Sequence, residues 1–522
     1  MAFCLQIIEI PIESPIAKVG EEIASPPGGV QRGEAPLRFL LSPKIGGLGV
    51  DIERGDADGG LGYAATTERG PPTTNRDSCF RRNDRMGRFE KRRALVTQWM
   101  SMNNTGRQDR ETMLGLYRVL DLTDEKGLIC GKTLGDLGAD VIKIEPRGGD
   151  SARDIGPFYR DVPNGDESLY WFAYNAGKRS ITLNLEMTDG QDLFRKLVAK
   201  ADFVIESFAP GHLDGLGLGH SALSQINPRV ILTSITPFGQ TGPYRDYKTC
   251  DLVSMALGGY VYLTGDSDRP PVRIGFPQAF LHAGMAAATG TMVAHFHRQL
   301  TGEGQWVDVS IQEACAWIPT DSAIYWEMNQ VLEERHGGVR VRPTTGARMK
   351  RIWQCRDGYV SFDMYGARLA RNFMTPLVAW MAEEGAAPDF LKEIDWNTFD
   401  YFAAPPELVE RIAEPIGQFF AARTREELLW GGVARRCCIY PVATLGNVAT
   451  SRQLDERGFW VGMEHEALGA SIRYPGSCIR ASETGSGVSR RAPQVGEHNV
   501  EVYRELGLTR EDLLAFRRRG VI

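Results

Sequence analysis

The sequence predicts an α/β fold built on a parallel sheet. Three observations carry this. Short apolar runs rich in Val, Ile and Leu alternate with stretches of helical length from about residue 117 onward. Gly- and Pro-bearing turns separate them. No internal repeat points to a solenoid or propeller instead. Strands alternating with helices of about 10–15 residues imply βαβ units, and such units place ligands at the carboxyl ends of the strands.

The elements follow in order. "YRVLDLT" (117–123) alternates as a strand, "GKTLGDLG" (131–138) suits a helix, and "ADVIKIE" (139–145) is a second strand. "SITLNL" (180–185) is the next strand. In "DGQDLFRKLVAKA" (189–201), Leu193, Phe194, Leu197 and Val198 fall at helical spacing. "DFVIESF" (202–208) and "RVILTSI" (229–235) are further strands. A helix of small residues is expected from Gln278 to about Leu300, then a "TGEGQ" turn and the strand "WVDVSI". From about 340 to 435 the character changes: "IWQCRDGYVSFDM" suits a hairpin and is followed by helices rich in Trp, Phe and Glu. This predicts a smaller α+β domain. The tail is helical, with Thr509 and Asp512 as a capping box.

Residues 1–112 read differently. They are rich in Gly, Pro, Arg and Asp with weak periodicity, so they bury too little apolar surface to offset chain entropy. The expectation is a disordered or spurious extension, with Met113 as an alternative start. The expected organisation is 113–325 as the N-terminal part of a large domain, 340–435 as a small domain, and 440–522 returning to the large domain.

Composition narrows the function. Of 522 residues, 42% are hydrophobic and 24% charged, ordinary for a soluble globular protein. A formal charge of −6 gives no general attraction to nucleic acid or anionic membrane. No apolar run approaches the length of a membrane span, and the N-terminus lacks the marks of a secretory signal. Nine scattered Cys without a CxxC argue against a disulfide framework or zinc site. His295 and His297 are two apart on a helix and face different sides, which argues against a metal pair. The expectation is a cytoplasmic enzyme without metal.

Several loops bear on chemistry. "GLICGKT" (127–133) has three residues between its glycines where a phosphate-binding P-loop needs four, so it reads as a helix start. In "EPRGGDSARDIGPF" (145–158), Arg147 and Arg153 form either a solvated loop or a basic lip for a ligand phosphate. "ESFAPGHLDGLGLG" (206–219) leaves a strand through a Pro-Gly turn, and "TPFGQTGPYRDYKTCDLV" (236–253) brings Lys248 and Asp251.

Together these stretches resemble the family III CoA-transferases, which include formyl-CoA and carnitine CoA-transferases and α-methylacyl-CoA racemases. The matching segments are "RVLDLT", "LGDLGADVIKIEPRGGDSAR", "NAGKRSITLNL", "ADFVIESFAPGHLDGLGLG", "INPRVILTSITPFGQTGPY", "TGEGQWVDVSIQEA" and "APQVGEHNVEVYRELG", in the family's order from about Leu116 to the C-terminus. The resemblance implies a Rossmann-like large domain made from both ends of the chain, a small domain between them, and two chains passing through one another as an interlocked dimer. It implies transfer of CoA from an acyl-CoA donor to a carboxylic acid acceptor, with CoA as substrate and no permanently bound cofactor. It places Leu183, Phe208, Pro210 and Gly211 along the adenine and pantetheine path, and Arg147 and Lys248 near CoA phosphates or the acyl end. Lys126 stands where relatives often carry Gln near the thioester. Asp251 matches an acidic position beside the active site, and Gly337 and Gly338 match a Gly-rich lid.

In the resembled mechanism a carboxylate attacks the thioester, forms a mixed anhydride and then carries CoA as an enzyme thioester, which divides a hard transfer into easier steps. Most relatives place that Asp four residues before the Gly of the small-residue helix. In "IGFPQAFLHAG" that position is Phe280, and the spacing to it is ungapped. Phe cannot attack, accept a proton or carry an acyl group. Three expectations follow: His282 or Asp251 supplies another catalytic group; the chain is the non-catalytic subunit of a heteromer with a paralogue; or it is an acyl-CoA epimerase or isomerase or a plain acyl-CoA binder. A lone helical His is more often a packed residue than a catalyst.

Overall fold

The computed structural model describes residues 112–341, 346–401 and 403–522. The extension expected over 1–112 lies, apart from Thr112, outside the described residues.

Six parallel strands form the central sheet: β1 (Arg118–Leu122), β2 (Asp140–Glu145), β3 (Arg179–Thr182), β4 (Phe203–Glu206), β5 (Ile231–Thr236) and β6 (Trp306–Ser310), in the order β3-β2-β1-β4-β5-β6. A strand buried on both faces reads as a continuous apolar run. Accordingly neighbouring residues feed opposite faces. Leu120, Ile142 and Val204 enter one core, and Val119, Val141 and Phe203 the other. The strand order reverses between β1 and β4, so the loops after them splay apart and leave a crevice at the switch point.

The helices of this part are α1 (Leu128–Asp136), α2 (Leu169–Asn175), α3 (Thr188–Val198), α4 (His212–Gly215), α5 (His220–Ile226), α6 (Asp251–Leu257), α7 (Ala279–Thr301), α8 (Ile311–Ala316) and the exposed α9 (Thr320–Asn329). The small residues of α7 let it lie close on α1. A Cβ on Gly284 would stand 2.1 Å from Ile129 Cγ2. The segment 127–133 is the start of α1, and Lys132 pairs with Asp136 one turn on at 2.6 Å. It forms no phosphate cradle.

A buried charge cluster joins the sheet to these helices. Lys178 donates to Asp121 Oδ2 (2.8 Å), to the Leu128 carbonyl (3.0 Å) and to Asn175 Oδ1 (2.9 Å), all without solvent exposure. Burial drives the Asp121 carboxyl upward, but Lys178 and Lys143 outweigh it and hold the carboxyl below its ordinary value.

Four short strand pairs stand apart from the main sheet. β7 (Val339–Val341) pairs with β8 (Arg348–Lys350). β9 (Ile352–Cys355) and β10 (Gly358–Ser361) form the hairpin expected around "IWQCRDGYVS". β11 (Tyr440–Pro441) adds to its edge. Trp353, Phe362 and Phe420 make a separate core there with α10 (Met374–Glu383), α11 (Pro406–Ala421) and α12 (Arg425–Arg435). A second hairpin, β12 (Trp460–His465) with β13 (Ala470–Pro475), was not foreseen. The tail forms α13 (Asn499–Arg504) and α14 (Arg510–Arg519), and the Thr509–Asp512 capping box is present. The tail packs on edge strand β3. Thr182 N donates to Asn499 Oδ1 (2.8 Å), and Tyr503 Oη donates to the Thr182 carbonyl (2.7 Å).

Candidate active site

A cavity of about 850 Å³ opens at the carboxyl ends of β1 to β4. Leu122 and Asp124 border it after β1, Arg147 after β2, Leu183 after β3 and Phe208 after β4. This is the crevice the strand order creates. Its two walls are joined by Ser207, whose hydroxyl donates to Asp124 Oδ1 (2.7 Å) and accepts from Asp124 N (2.9 Å). Asp124 in turn holds Lys126, accepting from its backbone N–H (3.1 Å) and pairing with its ammonium. Lys126 thus stands just beyond the cavity lining, tied to a residue within it.

The two arginines of the loop after β2 part company. Arg153 is buried, grips both oxygens of Glu145 (2.7 and 2.8 Å) and lies 3.8 Å over the Trp171 ring. It is a structural clamp and not part of a basic lip. Arg147 is exposed and forms no ion pair among the described residues. Gly211 adopts φ +80° at the start of α4 and borders a smaller neighbouring cavity of about 220 Å³, while Pro210 borders neither. Lys248 is exposed in the loop before α6, away from both cavities. Gly337 donates to the Gly265 carbonyl (2.8 Å) and the Gly338 carbonyl accepts from Arg351 and Ile352, so this Gly pair is held on both sides.

The smaller cavity contains an acid the sequence did not single out. Glu206 ends β4, accepts from Phe208 N at 2.7 Å and is 5% exposed. Burial raises its carboxyl to about 7, against bonds from Ser234 and Phe208.

At the head of α7, Phe280 is 6% exposed and belongs to the core that includes Cys130 and Met255. Asp251, at the first turn of α6, accepts from Phe280 N (3.3 Å), and the N–H groups of Gln278 and Ala279 also face its carboxylate. It satisfies donors that a helix start leaves open. Burial raises the Asp251 carboxyl against these bonds. His282 faces Tyr260: the rings stack at 5.6 Å, and Nε2 lies 3.1 Å from the phenol oxygen. Burial lowers the imidazole below its ordinary value, with Asp251 opposing. Tyr170 packs beside Tyr174, with ring centroids 4.7 Å apart. Burial raises its hydroxyl, and beyond Tyr174 the contributing charges are Glu125, Asp251 and Asp124. Tyr260 and Tyr170 carry no motif and are met only through the fold.

Among the described residues no group of His, Cys, Asp or Glu is placed to hold a metal ion, and no helix is long and apolar enough to cross a membrane.

Residues 115–499 match the profile of CoA-transferase family III. The chain is 36% identical over 392 residues to subunit BbsE of the succinyl-CoA:(R)-benzylsuccinate CoA-transferase of Thauera aromatica, covering 75% of this chain and 93% of that one. It is 31% identical over 401 residues to the succinyl-CoA–L-malate CoA-transferase beta subunit of Chloroflexus aurantiacus, covering 75% and 94%. It is 30% identical over 416 residues to the formyl-CoA:oxalate CoA-transferase of Streptomyces avermitilis, covering 78% and 98%. A crystal structure of a CaiB/BaiF family protein from Brucella suis superposes with a TM-score of 0.64 at 29% identity, covering 76% of this chain and all of that one.

Proposed function

From the premise that this chain belongs to CoA-transferase family III, whose members move CoA between an acyl-CoA and a carboxylic acid, we propose that it is the CoA-binding chain of a two-subunit enzyme. The carboxylate that attacks the thioester then stands on a paralogous partner. One observation carries this reading. At the head of α7, Phe280 is packed into the core, and the two candidate groups beside it are hydrogen-bonded: Asp251 to the helix N–H groups, His282 to Tyr260. Phe280 has no nucleophilic atom, and the thiols of Cys130 and Cys315 in the same core are buried, with burial raising both. Two of the relatives are themselves described as subunits, which supports a heteromer.

In this reading the 850 Å³ cavity receives the nucleotide end of CoA, with Leu183 and Phe208 as apolar walls and Arg147 at its edge. Lys126, held by Asp124, faces the thioester end. An interlocked pairing of the two chains brings the partner's carboxylate to that end.

The test is CoA exchange between labelled acyl-CoA and a panel of carboxylic acids. The isolated chain should bind CoA without exchange. Co-expression with a paralogue carrying Asp at the position matching Phe280 should give exchange, and replacing that Asp by Ala should abolish it. Turnover by the isolated chain would overturn the subunit reading. If that turnover were lost in Asp251→Ala or His282→Ala, the chemistry would belong to this chain.

A further inference from the structure

The large cavity is poorly matched to the phosphates of the ligand proposed for it. Its walls carry six acidic side chains, of which Asp124, Glu145 and Asp150 are tied to Lys126, Arg153 and Lys143. Its basic side chains are Arg147, Arg153 and His212. Arg153 is committed to Glu145, and His212 lies 3.6 Å from Glu186. Only Arg147, at the rim, is left to meet an anion.

Arg147 also borders a second cleft of about 340 Å³, which shares Val495 with the first. No Asp or Glu side chain lines this cleft. Arg510 and Arg517 of α14 do, with the amide of Asn499 and the hydroxyl of Thr182. Neither Arg510 nor Arg517 forms an ion pair among the described residues, whereas nearby Arg519 pairs with Asp189 and Arg491 with Glu497. The tail is shaped to admit Arg147. A Cβ on Gly520 would stand 3.2 Å from Arg147 Nη1, and Gly520 has φ +81°. The two cavities therefore meet at Arg147 and Val495, one lined by acidic side chains and the other by arginines together with the chain-terminal Ile522.

We propose that the cleft between Arg147 and α14 is a phosphomonoester subsite, and that it takes the 3′-phosphate of CoA while the adenosine lies in the larger cavity. This rests on the reading of that cavity as the CoA site. A dianionic phosphate would gain charge-assisted bonds from three guanidinium groups, in a cleft whose one lining residue with a carboxylate is the chain-terminal Ile522. The consequence is specificity: Arg510 and Arg517 make the chain discriminate CoA from dephospho-CoA, which lacks only that phosphate.

The experiment is isothermal titration of the full chain, and of Arg510→Ala/Arg517→Ala, with CoA, dephospho-CoA and inorganic phosphate at low salt. The wild-type chain should prefer CoA over dephospho-CoA by roughly tenfold or more, the scale of hydrogen bonds to charged groups. The double variant should lose that preference and bind both at the affinity of dephospho-CoA. Arg→Lys at both positions should restore part of it. Equal losses for both ligands in the double variant, or no preference in the wild type, would overturn the subsite and leave the CoA cavity standing. Failure of either nucleotide to bind would remove the CoA reading itself. Binding of inorganic phosphate that the double variant abolishes, without any CoA preference, would assign the cleft to free phosphate and overturn the proposal.

Discussion

Two residues show how burial sets chemistry at the scale of one side chain. Glu206 has a folded-state value of about 7 against an ordinary 4.5. Below pH 4.5 both folded and unfolded chains hold the proton, and the group costs nothing. Between 4.5 and 7 the unfolded chain releases it while the folded chain keeps it, so stability falls as pH rises. Above 7 the cost is constant, on the order of 3 kcal/mol. Glu206→Gln keeps an acceptor for Phe208 N and removes the titration. The variant should therefore gain stability over wild type at pH 8 and much less at pH 5, measured as urea midpoints at the two pH values. An equal change at both would mean that Glu206 ionises freely in the fold. Phe280 offers the complementary case. It fills core space, so Phe280→Ala should cost about 3–5 kcal/mol. Its effect on CoA affinity should be slight, because Phe280 does not border the 850 Å³ cavity. Thermal melts with CoA titration check both. A large loss of affinity in a well-folded variant would place Phe280 on the ligand.

At the scale of elements, α7 depends on one close approach. Gly284 faces Ile129 Cγ2 at 2.1 Å and Cys130 N at 3.3 Å, counted from a would-be Cβ. A side chain there gains a few tenths of a kcal/mol in helix propensity but forces α1 and α7 apart, at about 1–3 kcal/mol. Gly284→Val should lower the melting temperature by several degrees, whereas Thr289→Ala on the exposed face should change it little; equal effects would mean that the helices have slack. The sequence made this helix legible because small apolar residues recur through it. The strands β1 to β5 were legible for a related reason, since burial on both faces selects short runs rich in Val, Ile and Leu, whereas edge strand β6 is half-exposed and alternates. The β12–β13 hairpin was not, because its half-exposed strands mix Gly, Glu, His and Arg with Trp and Ile. The same contrast applies at the site. Arg147, Leu183 and Phe208 each follow a strand end closely, where a parallel sheet gathers ligand-facing residues. Tyr260 comes from a loop position whose partner His282 lies 22 residues away, and no periodicity announces such a meeting. Arg153 resembled Arg147 in sequence, but only the fold reveals the buried Glu145 that claims it.

At the scale of the molecule, helix α9 cannot be explained by one chain. None of its ten residues is buried, although Ile324, Trp326 and Met328 are among them. A helix held by packing needs an apolar face against something. Just before it Trp317 is 76% exposed, and on α7 Phe296 is 67% and Leu300 72% exposed. Large apolar residues are open on α9, before it and on α7, and if they form one contiguous patch they would suit an interface. The second chain of the proposed assembly, whether a copy or a paralogue, would cover them. Trp317→Glu together with Met328→Glu would place two carboxylates in that interface without touching the sheet, the CoA cavity or the head of α7. Sedimentation velocity should show at least two chains of 57.8 kDa associated in the parent protein. The doubly substituted chain should shift to single chains or lose the paralogue, while circular dichroism retains the sheet and helix signal of the large core. A parent protein that sediments as one chain, or association that survives both carboxylates, would show that these side chains face solvent. The subunit reading, in which a partner supplies the attacking carboxylate, would then lose this surface as its route.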